Sequence, residues 1–217
     1  MSKDFTKLFD IWSDTYDETV MGTDPQYKQA FEHYDEILHA VAEQAEGHVL
    51  EFGVGTGNLT KKLLDKGLNV TGVEPSSKMI KKAKSKLPAN FRLLKGDFMQ
   101  FPSVGHVDTI VSTYAFHHLT DKEKAVALQT YAELLPLNGK LVFADTIFQS
   151  AQAKKEMIEI AKKNNFDRLA TDLETEFYTT SAELINMCKT AGFDFTLIPK
   201  NTFVQLLIAK KVSTDQT

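Results

Sequence analysis

The stretch Val49-Leu-Glu-Phe-Gly-Val-Gly-Thr-Gly-Asn58 decides the fold. Strand-forming residues run directly into glycines at every second position, Gly53, Gly55 and Gly57, and a helical pattern over 59–66 begins at once. A strand that ends in a glycine turn and opens a helix gathers free backbone N–H groups and the positive end of a helix dipole at one point. Such a point holds the polar part of a nucleotide-like ligand. A dinucleotide fingerprint needs glycine at its first, third and sixth positions. Here the sixth is Asn58 and the third glycine comes one residue early, which weakens an NAD reading.

Outward from this turn the chain alternates. Strand-like runs cover 48–53, 69–74, 91–96, 107–114 and 140–146, with helical patterns over 59–66, 77–87 and 121–135 and a loop before the fourth run. Thr120-Asp-Lys-Glu123 is a capping box, in which hydroxyl and carboxylate satisfy the open amides of a helix start. Alternation of this kind predicts an α/β fold, a mostly parallel sheet with helices on both faces. Later, 152–165 reads as helix, 166–178 as irregular and acidic, and a second capping box at Thr180–Glu183 opens a further helix. Two closing runs, 193–199 and 203–210, are joined by Lys200-Asn-Thr202, a link so short that it demands an antiparallel hairpin. Upstream, Phe5, Leu8, Phe9, Trp12 and Tyr16 form one helical stripe, and 27–45 reads as a longer amphipathic helix.

A chain of 217 residues, 42% apolar and 25% charged, is expected to be one soluble domain over 1–212. Residues 1–46 form a helical cap on it, 149–178 a lid insertion, and 213–217 a flexible tail. The net charge of −4 hides an asymmetry, because residues 1–50 hold three basic and eleven acidic side chains. An acidic segment repels phosphate backbones, so nucleic acid is not an expected partner. The single cysteine, Cys188, allows no internal disulfide and reads as a small core residue. No run has the length or apolarity of a signal peptide or membrane span, so a cytoplasmic protein is expected.

Three acids stand near the turn. Glu74 ends the second strand, 21 positions after Gly53, where a carboxylate can accept from vicinal ribose hydroxyls. Asp97, in Gly96-Asp97-Phe98, follows the third strand and can accept from an exocyclic amine while the next backbone N–H serves a ring nitrogen. Asp108 opens the fourth strand, away from the carboxyl ends where ligands of open α/β sheets bind, and is expected to be structural.

With these residues in order, the chain resembles the class I S-adenosylmethionine-dependent methyltransferases, and in particular a group of small bacterial ones of unassigned substrate. Glu51-Phe-Gly-Val-Gly-Thr-Gly57, Glu74, Gly96-Asp97, the Asp108 strand and Leu135-Pro-Leu-Asn-Gly139 carry the resemblance over nearly the whole chain. It implies a Rossmann-like seven-stranded sheet with S-adenosylmethionine as cofactor. Gly53 and Gly55 would pack against its methionine part with Glu51 behind them, Glu74 would take the ribose, Pro75 a face of the adenine, and Asp97 and Phe98 the adenine edge.

His117-His118, just past the fourth strand, is the candidate for accepting a proton from an attacking oxygen or nitrogen. The plainer alternative is one packed histidine and one bonded to a loop carbonyl. As metal ligands the pair is not expected to serve, since no Cys, Asp or Glu joins them at ligand spacing. Trp12, Tyr16 and Met21 read as core or as a closing cap, Phe148, Phe177 and Tyr178 as an apolar lining, and Lys78, Lys81, Lys82, Lys84 and Lys86 as a solvated helix face. The expected function is methyl transfer to a small molecule by in-line displacement. An NAD-dependent oxidoreductase and a non-catalytic S-adenosylmethionine-binding regulator are the alternatives. A nucleic-acid amino-methylating enzyme recedes because Ser112-Thr-Tyr-Ala115 stands where it would show Asn/Asp-Pro-Pro-aromatic, and a cytosine-carbon enzyme because Cys188 is misplaced.

Overall fold

The computed structural model describes residue 10 and residues 12–213. Phe5, Leu8 and Phe9 of the first stripe, and residues 214–217 of the tail, lie outside the described residues. The strands are β1 (His48–Phe52), β2 (Asn69–Glu74), β3 (Arg92–Lys95), β4 (Thr109–Thr113), β5 (Lys140–Thr146), β6 (Phe193–Pro199) and β7 (Val204–Lys211). They form one seven-stranded sheet in the order β3-β2-β1-β4-β5-β7-β6. The first five strands run parallel, and β7 pairs antiparallel with both β5 and β6.

Central strands are apolar at successive positions because both faces are covered. Val49, Val111, Val142 and Ala144 point into one core layer, against α2 (Tyr34–Gln44) and α3 (Asn58–Asp65). Leu50, Phe52, Ile110, Leu141 and Phe143 point into the other, against α5 (Asp121–Leu134) and α8 (Ser181–Thr190). Cys188 lies wholly buried in this second layer. Both expected capping boxes form, Thr120 with Glu123 and Thr180 with Glu183. At the far end of the sheet from the carboxyl strand ends, the Asp108 carboxylate accepts from the His48 backbone N–H at 2.8 Å and faces His106 at 2.7 Å. That is the structural place expected of it.

The remaining helices are α1 (Tyr16–Val20), α4 (Ser77–Lys86), α6 (Ala151–Lys163) and α7 (Asp167–Thr175), with a 3-10 turn at Phe116–His118. Two expectations need correction. The helix read over 27–45 begins only at Tyr34, because His33 adopts a left-handed φ of 60° and residues 25–33 fold as turns. The segment read as irregular over 166–178 contains α7, whose Leu169, Ala170 and Leu173 are buried against the rest of the chain. Met21, grouped with the apolar stripe, is 84% exposed and belongs to no core.

Candidate active site

The strand order reverses between β1 and β4, so their carboxyl ends diverge into a crevice, the usual ligand position in open α/β sheets. The glycine turn lies there. Gly53 has a φ of 72°, and a Cβ on it would come within 2.8 Å of the Ala115 Cβ. Gly55, with a φ of 55°, would place its Cβ no nearer than 3.9 Å to any other residue, so its left-handed backbone is the constraint and the space beside it is open.

Glu74 organises the turn. One carboxylate oxygen accepts from the Gly55 N–H at 2.9 Å and the other from the Ser76 N–H at 2.8 Å. Burial pushes its carboxyl up to about 7, opposed by those two backbone bonds. Glu51, wholly buried behind the turn, accepts from the Thr60 hydroxyl at 2.6 Å, and burial raises it to about 8. Asp97 accepts from the backbone N–H groups of Met99 and Gln100 and so shapes the loop after β3. Phe98 stacks on Phe52 with centroids 5.3 Å apart.

Two small cavities adjoin at this crevice. The first, of about 70 Å³, is lined by Gly53, Gly55, Glu74, Pro75, Asp97 and Phe98, the residues expected to hold the cofactor; Glu51 does not reach it. The second, of about 90 Å³, lies under the N-terminal segment and α7, walled by Trp12, Tyr27, Phe31, His117, Asp172 and Glu176 among others. Tyr16, Met79, Tyr114 and His118 line both and form the partition. A larger surface groove, of about 960 Å³, opens along the N-terminal segment among charged side chains such as Asp35, Lys61 and Lys62.

The N-terminal segment is fastened to the glycine turn by charge. Asp17 accepts from the Thr56 hydroxyl at 2.6 Å, the Asn58 amide at 3.2 Å and the Lys86 ammonium at 2.6 Å. Asp10 accepts from the Ser76 hydroxyl at 2.6 Å. Of the basic run on α4, Lys82 and Lys86 therefore face acids of this segment, while Lys78, Lys81 and Lys84 are exposed.

His117 and His118 sit on the 3-10 turn after β4, and acids from far along the chain meet them. His117 Nδ1 lies 2.6 Å from Asp145, at the end of β5, and Nε2 lies 3.3 Å from Glu176, which caps α7. His118 Nδ1 lies 3.8 Å from Glu176. A carboxylate thus joins the pair, and the ligand atoms of His117, His118 and Glu176 lie within 4.8 Å of one another. The expectation that no acid would reach the histidines is corrected: chain spacing does not register a residue delivered by a separate helix. Burial alone would lower His117, but the charges of Asp145 and Glu176 on its two nitrogens outweigh it and hold the imidazole up to about 10. Burial, aided by the His117 charge, holds His118 down to about 3. At neutral pH His117 is already protonated and His118 is a weak base.

The second cavity is aromatic and acidic. Tyr178 stacks on His117 with centroids 4.9 Å apart and donates its hydroxyl to Glu176 at 2.7 Å. The Tyr27 hydroxyl donates to Asp172. Phe148 packs edge-on against Tyr178 from behind, and Phe177 contributes backbone, its N–H to the His117 carbonyl and its carbonyl to Lys124. Tyr114 holds a left-handed φ of 53°, and its buried hydroxyl has no hydrogen-bond partner among the described residues. Asp145, Asp172 and Glu176 were missed from sequence. The available signal was the i, i+4 spacing of Asp172 and Glu176 around Leu169 and Leu173, which puts acid and apolar residues on one helix face.

Comparison with known proteins fits this architecture. A family profile described as a methyltransferase domain matches residues 49–139. A protein of Bacillus thuringiensis described as an uncharacterized methyltransferase is 50% identical over 97% of this chain and 100% of its own length. The chain belongs to the class I S-adenosylmethionine-dependent methyltransferases. An uncharacterized methyltransferase of Bacillus cytotoxicus shows the same 50% identity over the same shares. Among solved structures, magnesium protoporphyrin IX methyltransferase from Synechocystis PCC 6803 superposes with a TM-score of 0.71 at 17% identity, covering 96% of this chain and 100% of that one. Human N-acetylserotonin methyltransferase gives 0.65 at 16%, covering 98% of this chain and 61% of that one. At such identities the likeness concerns the fold. Among the described residues of this methyltransferase no helix is long and apolar enough to cross a membrane.

Proposed function

We propose that this methyltransferase acts on a small molecule held in the second cavity, by in-line displacement where the two cavities meet, beside Tyr16, Met79, Tyr114 and His118. One observation carries the reading: the cavity lined by the glycine turn and Glu74 shares those residues with an enclosed cavity that has its own polar groups. The residues present suit the cofactor, since Gly55 leaves open space beside the turn and Glu74 keeps lone pairs for ribose hydroxyls beyond its two backbone bonds. Pro75 and Phe98 would flank the adenine, Asp97 would accept from its amine, and Gly53 and Gly55 would admit the methionine part. Glu51 would act from behind, by fixing α3 through Thr60.

When bound, S-adenosylmethionine supplies an activated methyl group on a sulfonium. The protein's task is then to orient the nucleophile, exclude water and receive any proton released. Residues 1–46 serve as cap and 149–178 as lid. His117, fixed between two carboxylates, positions the loop after β4, and His118 presents a neutral ring to both cavities. The proton-accepting role passes in this reading to Asp172.

Calorimetry with S-adenosylmethionine, S-adenosylhomocysteine and NAD tests the proposal. The two S-adenosyl compounds should bind and NAD should not. Glu74→Ala should weaken cofactor binding by about 1–3 kcal/mol, the cost of stranding buried hydrogen-bonding groups. Binding of NAD alone, or unchanged affinity in the variant, would overturn it.

A further inference from the structure

We propose that the second cavity is an ammonium site, so that the acceptor is a small primary or secondary amine entering as its cation. The inference rests on the function proposed above and adds the substrate class. Three features of the wall carry it.

The first is charge. Asp172 and Glu176 both face the cavity, and Asp145 stands behind His117. The His117 imidazolium is the cation in contact with Asp145 and Glu176, and Lys124, Lys154 and Arg168 act on Asp145, Glu176 and Asp172 from outside the lining. Among the described residues no lysine or arginine lines the space. The nearest cations are held outside the lining: Arg168 bonds Asp24 and covers the Tyr27 ring at 5.7 Å, and Lys154 lies over the Tyr178 ring at 5.5 Å. Lys124 is engaged by Asp121 and the Phe177 carbonyl. A carboxylate or phosphate acceptor would meet repulsion with no basic partner, whereas a cation would complete the balance.

The second is the aromatic wall. Trp12, Tyr27, Phe31, Tyr114, Tyr178 and Phe203 surround the space. Aromatic faces attract a desolvated cation and are neutral towards an uncharged ligand's polarity. Trp12 meets Tyr27 edge-on at 5.7 Å and Phe31 meets Tyr114 at 5.1 Å, so the rings support one another in place.

The third is an arrangement for the proton. Burial, with the neighbouring Glu176 charge, raises the Asp172 carboxyl above the ordinary range, while Glu176 is held down to about 2 by its commitment to His117. Asp172 is therefore the better proton acceptor of the two. Loss of one N–H proton to Asp172 frees the amine lone pair. That pair forms the new bond to the methyl carbon, and the carbon–sulfur pair stays on sulfur. The product is again an ammonium ion, now N-methylated, and the Asp172 proton passes to solvent. The Tyr114 hydroxyl, buried where the cavities meet and without a hydrogen-bond partner among the described residues, can accept from a remaining N–H.

Binding to the S-adenosylhomocysteine-saturated enzyme tests this with isosteric probes: benzylamine, benzyl alcohol and benzoate at pH 7.5, by calorimetry. Benzylammonium should bind at least tenfold more tightly than benzyl alcohol, and benzoate should not bind. Asp172→Asn should lower benzylammonium affinity about tenfold while leaving that of benzyl alcohol and of S-adenosylhomocysteine unchanged. Equal or weaker binding of the cation, no binding of the cation, or loss of alcohol and cation affinity together would overturn the proposal. Failure of S-adenosylhomocysteine itself to bind would instead defeat the underlying methyltransferase reading.

Discussion

Replacing His117 by Gln removes the imidazolium held between Asp145 and Glu176, and pH separates the charge from the shape of the side chain. His117 is raised from the ordinary 6.5 to about 10, and each unit corresponds to about 1.4 kcal/mol. The full shift therefore corresponds to about 5 kcal/mol. Seen from Glu176, lowered from 4.5 to about 2 chiefly by His117 with help from His118 and the Tyr178 hydroxyl, the shift corresponds to about 3 kcal/mol. Breaking a buried pair by removing one partner costs about 3–5 kcal/mol, in the same range. The sign follows from linkage: a basic group with a raised folded pKa contributes fully below its unfolded value, and the contribution fades as pH rises towards the folded value. Wild type should thus exceed His117→Gln by about 3–5 kcal/mol near pH 6.5. Between pH 8 and pH 10, above the range where the stranded carboxylates of the variant titrate, the gap should narrow by about 2–3 kcal/mol. Urea unfolding followed by circular dichroism at each pH reads this directly. A gap that stays constant from pH 8 to pH 10 would refute the charged assignment and return His117 to candidacy as a proton acceptor.

Three further outcomes follow from local geometry. Asp17→Ala removes the acceptor shared by Thr56, Asn58 and Lys86 and should cost about 1–3 kcal/mol, with hydrogen exchange accelerated over residues 12–33 while β1 and β4 keep their protection. Gly53→Ala, at a φ of 72° and with its new Cβ 2.8 Å from that of Ala115, should lower stability by about 1–3 kcal/mol in thermal denaturation, with loss of cofactor binding in calorimetry. Glu51→Gln keeps an acceptor for Thr60 but cannot ionise; because burial raises Glu51 to about 8, wild type should lose stability relative to the variant as pH rises from about 4.5 to 8, and parallel melting temperatures across that range would contradict it.

The crevice at the glycine turn was legible because it is local. Gly53 and Gly55 follow β1 and Glu74 ends β2, neighbouring parallel strands, and six residues that the family resemblance nominates line one cavity. A run such as Leu141–Ala144 announces a doubly covered strand by its continuous apolar character. The acceptor side was not legible in the same way. Asp172 lies on, and Glu176 caps, a short helix whose buried face mixes leucine with acid, so the stretch read as irregular and acidic. His33 ends the regularity of 27–45 through one left-handed residue, a conformation that the helical pattern does not encode. The alternation of hydrophobic residues reports how an element meets the sheet, and it is silent on which side chains meet across loops.

The N-terminal segment and α7 are also joined to each other, independently of the sheet. The Tyr27 hydroxyl and the Asp24 carboxylate, both in the N-terminal segment, bond Asp172 and Arg168 on α7, and the Gln26 amide oxygen accepts the Arg168 N–H at 3.0 Å. Asn201, in the β6–β7 turn, donates to the carbonyls of Ala30 and Glu32 and so anchors the same segment at its other end. Tyr27 thus reaches Asp172 on the acceptor side, while Asp17, a few residues earlier, reaches Thr56 on the donor side. A ligand that draws Asp172 towards itself must rearrange its bond from Tyr27, and that strain is carried along a segment fastened to the glycine turn. The two cavities are therefore linked through this segment as well as by the residues that line both.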